Sequence, residues 1–229
     1  MKIYIGLDDT DNHESRGTGH LARFIADSLK DDFELEGVVR HQLFFDPRVP
    51  YTSHNSSATI LLNSHKEYSL DILFDRVRLI MESDFQIGSD PGLCITDHVP
   101  EEIIVFGKKV KSEFVYQNEA IALAKKYKIL LAGLGGTCDG IIGSLAAVGL
   151  SASGQDGRYV QVGNLRELSG MQSFEVLRKA GIAEIRTIDG KNVFSGETIA
   201  DKLRPARRDQ KPILFVQWKN NQWEAIKLD

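Results

Sequence analysis

The chain has 229 residues, 42% of them hydrophobic and 26% charged, which is the make-up of a globular protein able to bury one large core or two modest ones. Its formal net charge of −4 excludes a broad basic coat for non-specific DNA binding, but leaves room for a local patch facing RNA. Two cysteines and no C-x-x-C pair exclude a disulfide framework and a cysteine zinc site. With no basic-then-apolar leader and no apolar run near the roughly 18 residues of a membrane span, the expectation is a cytoplasmic protein with no membrane partner.

In chain order, Ile3, Ile5 and Leu7 alternate with Tyr4 and Gly6, which predicts a short buried strand. Residues 19–30 repeat apolar positions at helical spacing, and Ser15 or Thr18 is placed to cap that helix. Residues 33–45 and 59–62 read as strands, with Pro47 and Pro50 punctuating the connection. Residues 70–83 form an amphipathic helical pattern, and SDPG (89–92) has the composition of a turn. Helices are predicted over 99–111 and 117–127, and a strand over 128–133. That strand leads into a glycine-rich loop and the small-residue helix SLAAVG. A strand follows at 158–163 and a helix at 171–180. The runs 213–218 and 223–228, joined by KNNQ, carry a hairpin signal. Alternating strands and helices predict a mixed α/β or α+β class with a partly parallel sheet. The Gly- and Ser-rich stretch 151–157 marks the boundary between an expected unit 1–153 and a smaller unit 154–229.

Chemistry concentrates in two places. Asp8, Asp9 and Asp11 crowd the end of the first strand, where open α/β sheets bind ligands. Converging carboxylates are tolerable if a hard cation bridges them, and magnesium usually arrives with phosphates. A solvated capping turn fits the same residues. The D-x-D-x-[TV] pattern of haloacid-dehalogenase-like phosphatases fits Asp9 and Asp11 and fails at His13. The second place is the cluster Gly133, Gly135, Gly136, Gly140 and Gly143. Backbone amides there suit an anion at a helix N-terminus, although glycines also serve tight packing. No Lys-Ser or Lys-Thr follows, so this is not a Walker A loop. Asp139 would repel a phosphate at that spot unless a cation lay between them.

Other residues have plainer readings. His20 reads as surface or packing; His41 and His54 flank the proline-punctuated connection as candidate ligand contacts. Cys138 reads as a small filler. RPARRDQK (204–211) reads as a solvated loop, with RNA phosphate contact as the alternative.

The stretch GLDDTDNHESRGTGHLA resembles the opening of the archaeal tRNA 2-agmatinylcytidine synthetases. Three further segments, DPRVPYTSHNSSA (46–58), SDPG (89–92) and TCDGIIGSLAAVG (137–149), resemble that family's motifs in the same order. The resemblance spans roughly residues 1–165. It implies a kinase-like α/β domain followed by a smaller ferredoxin-like unit. It also implies an ATP- and Mg2+-dependent enzyme in which ATP activates an acceptor for phosphoryl transfer or amine ligation. Carried over, Asp8, Asp9 and Asp11 bind metal and nucleotide, and Thr18 takes up phosphate. Gly135, Gly136, Thr137, Gly140 and His54 line the cofactor site. The departures are specific: Gly17 and Gly19 flank Thr18 where the family has cysteine and threonine, Thr52 and His54 stand where lysine and arginine are usual, and Asp139 replaces an arginine. An OB-fold and a zinc ribbon are not expected in this length of chain. The expected partners are therefore a nucleotide, with tRNA or a protein supplying RNA-binding domains, and the alternative is a non-catalytic nucleotide-binding module.

Overall fold

The computed structural model describes residues 1–11, 17–49, 55–86 and 88–228. Its first half holds β1 (Lys2–Asp8), α1 (Thr18–Leu29), β2 (Glu34–Gln42), β3 (Ser56–Asn63), α2 (Leu70–Asp84) and β4 (Gly92–Thr96). It continues with α3 (Glu101–Val110), α4 (Gln117–Tyr127), β5 (Leu130–Gly133) and α5 (Gly140–Ser153). The second half holds β6 (Arg158–Gln161), β7 (Met171–Ser173), α6 (Phe174–Lys179), β8 (Glu184–Thr187), β9 (Glu197–Ile199), β10 (Ala206–Arg208), β11 (Lys211–Lys219) and β12 (Gln222–Ile226). The class is α+β, as expected. No helix among the described residues is long and apolar enough to cross a membrane.

One large sheet runs in the order β12-β11-β10-β6-β2-β3-β1-β4-β5, with β8 added beside β11; β7 and β9 pair separately. The expected partly parallel sheet is corrected to an almost wholly antiparallel one. Among the described strands only β8 and β11 run parallel. Alternation of helices and strands along a chain does not encode strand direction, and here β1 lies between β3 and β4, antiparallel to both. The sheet also crosses the expected boundary, because β6 pairs with β2.

The two faces of β1 do different work, as its period-2 alternation requires. Ile3, Ile5 and Leu7 are fully buried against Leu21, Ile25 and Leu29 of α1 and Val77 and Met81 of α2. On the other face, α5 packs so closely that a Cβ on Gly6 would lie 2.0 Å from the Ser144 carbonyl oxygen. Small residues at the start of α5 are what permit that approach.

Three local expectations shift. Residues 171–173 pair as β7 and only 174–179 are helical, with the Ser173 hydroxyl accepting from the Val176 N–H as N-cap. Thr18 is the first helical residue of α1 rather than its cap, which is Gly17; Ser15 lies outside the described residues. RPARRDQK is not a solvated loop: it builds β10 and the turn into β11. Arg207 within it is fully buried, so it cannot reach an RNA phosphate. Its guanidinium donates to the Ser151 carbonyl at 3.0 Å, to Glu36 at 3.0 Å and to the Tyr159 hydroxyl.

Candidate functional site

The small-residue face of α5 brings its first turn against the acidic end of β1. A Cβ on Gly143 would lie 1.8 Å from Asp8 Oδ2, so only glycine leaves room for that carboxylate. Asp8 ends β1 on the α5 face. Asp9 follows with a left-handed backbone (φ 48°), and its Oδ2 accepts the Asp90 N–H at 3.3 Å. Asp11 Oδ1 accepts the Thr18 hydroxyl at 3.0 Å, and Thr18 Oγ1 accepts from the Thr10 hydroxyl at 3.2 Å. Thr18 is therefore buried, with its hydroxyl committed inside the protein.

Asp90, in the turn leading into β4, ties the two distant segments together. Its carboxylate accepts the Thr137 N–H at 2.7 Å and the Thr137 hydroxyl at 2.6 Å. Its carbonyl accepts the Gly140 N–H at 3.1 Å. Asp139 precedes α5, and its Oδ1 accepts from Gln117 Nε2 at 2.5 Å.

These groups open onto a cleft of about 870 Å3, counting its open mouth. Asp8, Asp9, Asp11, Asp90, Asp139, Gly140 and Gly143 line it, and so do the apolar Leu43, Phe44, Val49, Val110, Phe114 and Val115. Among the described residues six carboxylates, including Glu113, line it with one cation, Arg48. Arg48 is already held by Asp46 in a two-bond fork at 2.7 and 3.0 Å and stacks over Phe114 at 5.0 Å. The described lining therefore carries excess negative charge. Burial, then the neighbouring Asp9 charge, pushes the Asp8 carboxyl well above the usual carboxylate range. Burial pushes Asp9 up to about 6, the Asp90 N–H bond works against the rise, and the Asp90, Asp11 and Asp139 charges add to it.

The structure thus brings Asp8, Asp9, Asp11 and Gly140 onto one cleft. Thr18 stands behind Asp11. Gly135, Gly136 and Thr137 stand behind Asp90 rather than among the lining residues: a Cβ on Gly136 would lie 1.4 Å from Asp90 Oδ1. His54 lies outside the described residues. His41 is fully buried elsewhere, 2.8 Å from Asp156 through Nδ1 and 2.8 Å from Ser151 through Nε2. Cys138 packs into the space left by Gly133. Asp90 and the aromatic Phe44 and Phe114 are the lining groups that sequence reasoning missed. The aspartate of SDPG carried the only signal, and turn composition accounted for it fully.

Oxygen donors in excess suit a hard cation such as magnesium. Among the described residues, no three His, Cys, Asp or Glu side chains are grouped as a ready cage. That still fits magnesium, which keeps several waters and takes only one or two carboxylates when it arrives with phosphates.

Fold and site together define an α+β protein with a cleft, lined by carboxylates and apolar side chains, between a central strand and the N-terminus of a small-residue helix. No protein-family model matches the chain. The chain is similar to the tRNA 2-agmatinylcytidine synthetase TiaS of Pyrococcus horikoshii, at 28% identity over 159 residues. It is 26% identical, again over 159 residues, to the TiaS of Thermococcus sibiricus. The matches cover 65% of this chain and 36% and 35% of those relatives, so the chain spans about a third of their length. Among solved structures, a tRNA fluorescent labeling enzyme shares the fold with a TM-score of 0.57 at 24% identity. A complex of TiaS with tRNA and ATP does so with a TM-score of 0.57 at 23% identity. Each covers 65% of this chain and 36% of the solved one.

Proposed function

We propose that this chain is an ATP- and Mg2+-dependent enzyme that activates an acceptor, an RNA base or a small molecule, for phosphoryl transfer or amine ligation. The observation that carries this reading is the meeting of Asp8, Asp9, Asp11 and Asp90 with the start of α5 at a cleft that apolar and aromatic side chains also line. The apolar and aromatic side chains suit a nucleobase and the carboxylates suit a cation-bound polyphosphate. Similarity to TiaS, with a fold neighbour crystallised with tRNA and ATP, supports the same direction.

Asp8, Asp9 and Asp11 would hold the magnesium, with Asp90 beside them. The ion would supply neutralisation of phosphate charge, the main requirement of phosphoryl transfer. The chain's own residues set the geometry. Gly143 admits Asp8, the left-handed turn at Asp9 aims its carboxylate at Asp90, and Thr18 fixes Asp11. In this reading Thr18 is a positioning residue, since phosphate uptake would first require breaking its hydrogen bonds. Every described lining residue falls between 8 and 143. That supports treating 1–153 as the nucleotide-binding unit and 154–229 as a smaller one.

A second reading is a non-catalytic nucleotide-binding module, a sensor or a subunit of a tRNA-modifying complex. The shortage of cations among the described lining residues favours it, because Arg48 is occupied by Asp46. Thermal unfolding with ATP, with and without magnesium, separates both readings from neither. Saturation at a hundredfold excess over Kd should stabilise the protein by about 2.7 kcal/mol, and no magnesium-dependent shift would remove both. Release of ADP or AMP then selects the enzyme; stabilisation without product selects the module.

A further inference from the structure

A second groove opens at β12, one end of the large sheet, and no described residue lines both it and the acidic cleft. Every residue from Gln222 to Lys227 lines it. Alternate residues of a strand point to opposite faces, so the groove follows β12 along its whole length rather than touching one face of it. The other lining residues are Leu214 of β11, Thr198 and Ile199 of β9, and the segment 201–204. The groove measures about 670 Å3, counting its open mouth.

The hairpin fixes which backbone groups of β12 are left over. Asn220 and Asn221 are both left-handed (φ 52° and 58°) and form its two-residue turn. Lys219 and Gln222 close that turn as a hydrogen-bonded pair, and bonded and non-bonded pairs then alternate. Gln217 with Glu224 is bonded; Trp218 with Trp223 and Val216 with Ala225 are not. The N–H and C=O groups of Trp223 and Ala225 therefore point away from β11. Among the described residues no backbone or side-chain group takes them: β12 pairs with β11, and β9, although it packs against β12, is bonded to β7. The edge is held in place. A Cβ on Gly196 would lie 2.6 Å from Trp223 Cδ1, and the Trp223 ring meets Phe174 at 6.3 Å and Trp218 at 5.3 Å.

We infer that this groove binds an extended, acidic peptide segment of a protein partner, which adds to β12 as a further strand. Trp223 and Ala225 offer two donors and two acceptors at the spacing an added strand uses. Ile199, Leu203 and Leu214 in the lining give alternate side chains of the segment apolar surface to bury. Charge selects its sign: Lys202, Arg204 and Lys227 line the groove with Asp201 and Glu224. Both carboxylates already accept a hydrogen bond, Asp201 from the Gly170 N–H at 3.2 Å and Glu224 from Asn220 at 3.4 Å. Among the described residues neither Lys202 nor Lys227 is in an ion pair. A second copy of the chain fits less well, because pairing Trp223 with Ala225 of the other copy sets the two Glu224 side chains directly opposite each other.

The test is fluorescence anisotropy of a labelled, C-terminally amidated Val-Glu-Val-Glu-Val peptide with the whole chain, in EDTA and without nucleotide. Binding should have a Kd on the order of 0.1 mM, at the weak end for so short a contact. An analogue N-methylated throughout keeps the charge and loses the main-chain donors, and should bind about tenfold more weakly. Ala225→Pro should weaken the parent peptide about tenfold as well; it removes an outward N–H and no bond to β11, the one setting in which a strand accepts proline. Lys202→Asn with Lys227→Gln should weaken binding and reduce its salt dependence, asparagine suiting the left-handed backbone at 202 (φ 57°). Unfolding curves confirm that these variants are folded. In the parent, bound peptide should slow amide exchange at Trp223 and Ala225, a readout that needs no variant. No binding at about 1 mM protein, equal binding of the methylated analogue, equal binding of Val-Lys-Val-Lys-Val, or unchanged exchange overturns the inference. So does self-association of the parent that Ala225→Pro abolishes, which would assign the edge to a second copy.

Discussion

Asp9→Asn provides the sharpest test of the charge argument at the cleft, because it removes one negative charge at almost constant shape. Asparagine tolerates the left-handed backbone at this position (φ 48°), and its side-chain oxygen can still accept the Asp90 N–H. The Asp9 carboxyl is raised from 3.8 to about 6 in the folded chain. At about 1.4 kcal/mol per tenfold change in proton affinity, ionised Asp9 costs the fold about 3 kcal/mol at pH 8. The Asp90 bond is already counted in that shift; Asp9 is only half-buried, so solvent screening discounts the figure and the variant should be more stable by about 2 kcal/mol. For a chain of this length the melting temperature should rise by about 4–8 °C.

The sign of the pH dependence is fixed by the same shift. A carboxyl that holds its proton more tightly when folded favours the fold while protonated, and that contribution is lost as pH rises through about 6. The advantage of Asp9→Asn should therefore be near zero at pH 4, grow between pH 4 and 7, and level off above. Thermal unfolding of both proteins, metal-free, across that range gives the difference curve. A variant no more stable than its parent at pH 8, or one whose advantage persists at pH 4, would refute the reasoning.

Two further outcomes follow from packing and from buried charge. Gly143→Ala should lower stability by about 1–3 kcal/mol in urea unfolding and displace Asp8, weakening ATP–magnesium stabilisation beyond the loss of fold, because its Cβ would meet Asp8 Oδ2 at 1.8 Å. Arg207→Ala should cost about 3 kcal/mol by the same measurement, since it strips Glu36, Tyr159 and the Ser151 carbonyl of a shared buried donor.

Much of the local structure was legible because short-range patterns carry it. Alternation of Ile3, Ile5 and Leu7 is enough for a strand, and helical spacing is enough for α1, α2 and α3. The KNNQ turn sits between β11 and β12, which pair Trp218 with Trp223. β4 was not legible: GLCIT is five residues, all buried, with no alternation to read, and it becomes a strand only by pairing with β1 and β5. β10 was hidden in a charged run for the same reason, since the burial of Arg207 depends on Glu36, 171 positions away.

The candidate site divides along the same line. The amino-acid order alone determined that negative charge gathers at Asp8, Asp9 and Asp11, and that glycines gather ahead of a small-residue helix, because both are facts of neighbouring positions. Only the tertiary structure decided that these segments share a cleft, that Asp90 joins them, and that apolar and aromatic side chains line it too. Those relations depend on antiparallel pairing and on how closely α5 can lie against β1, and long-range contacts of that kind are set by the packing of the whole sheet rather than by any one stretch of the chain.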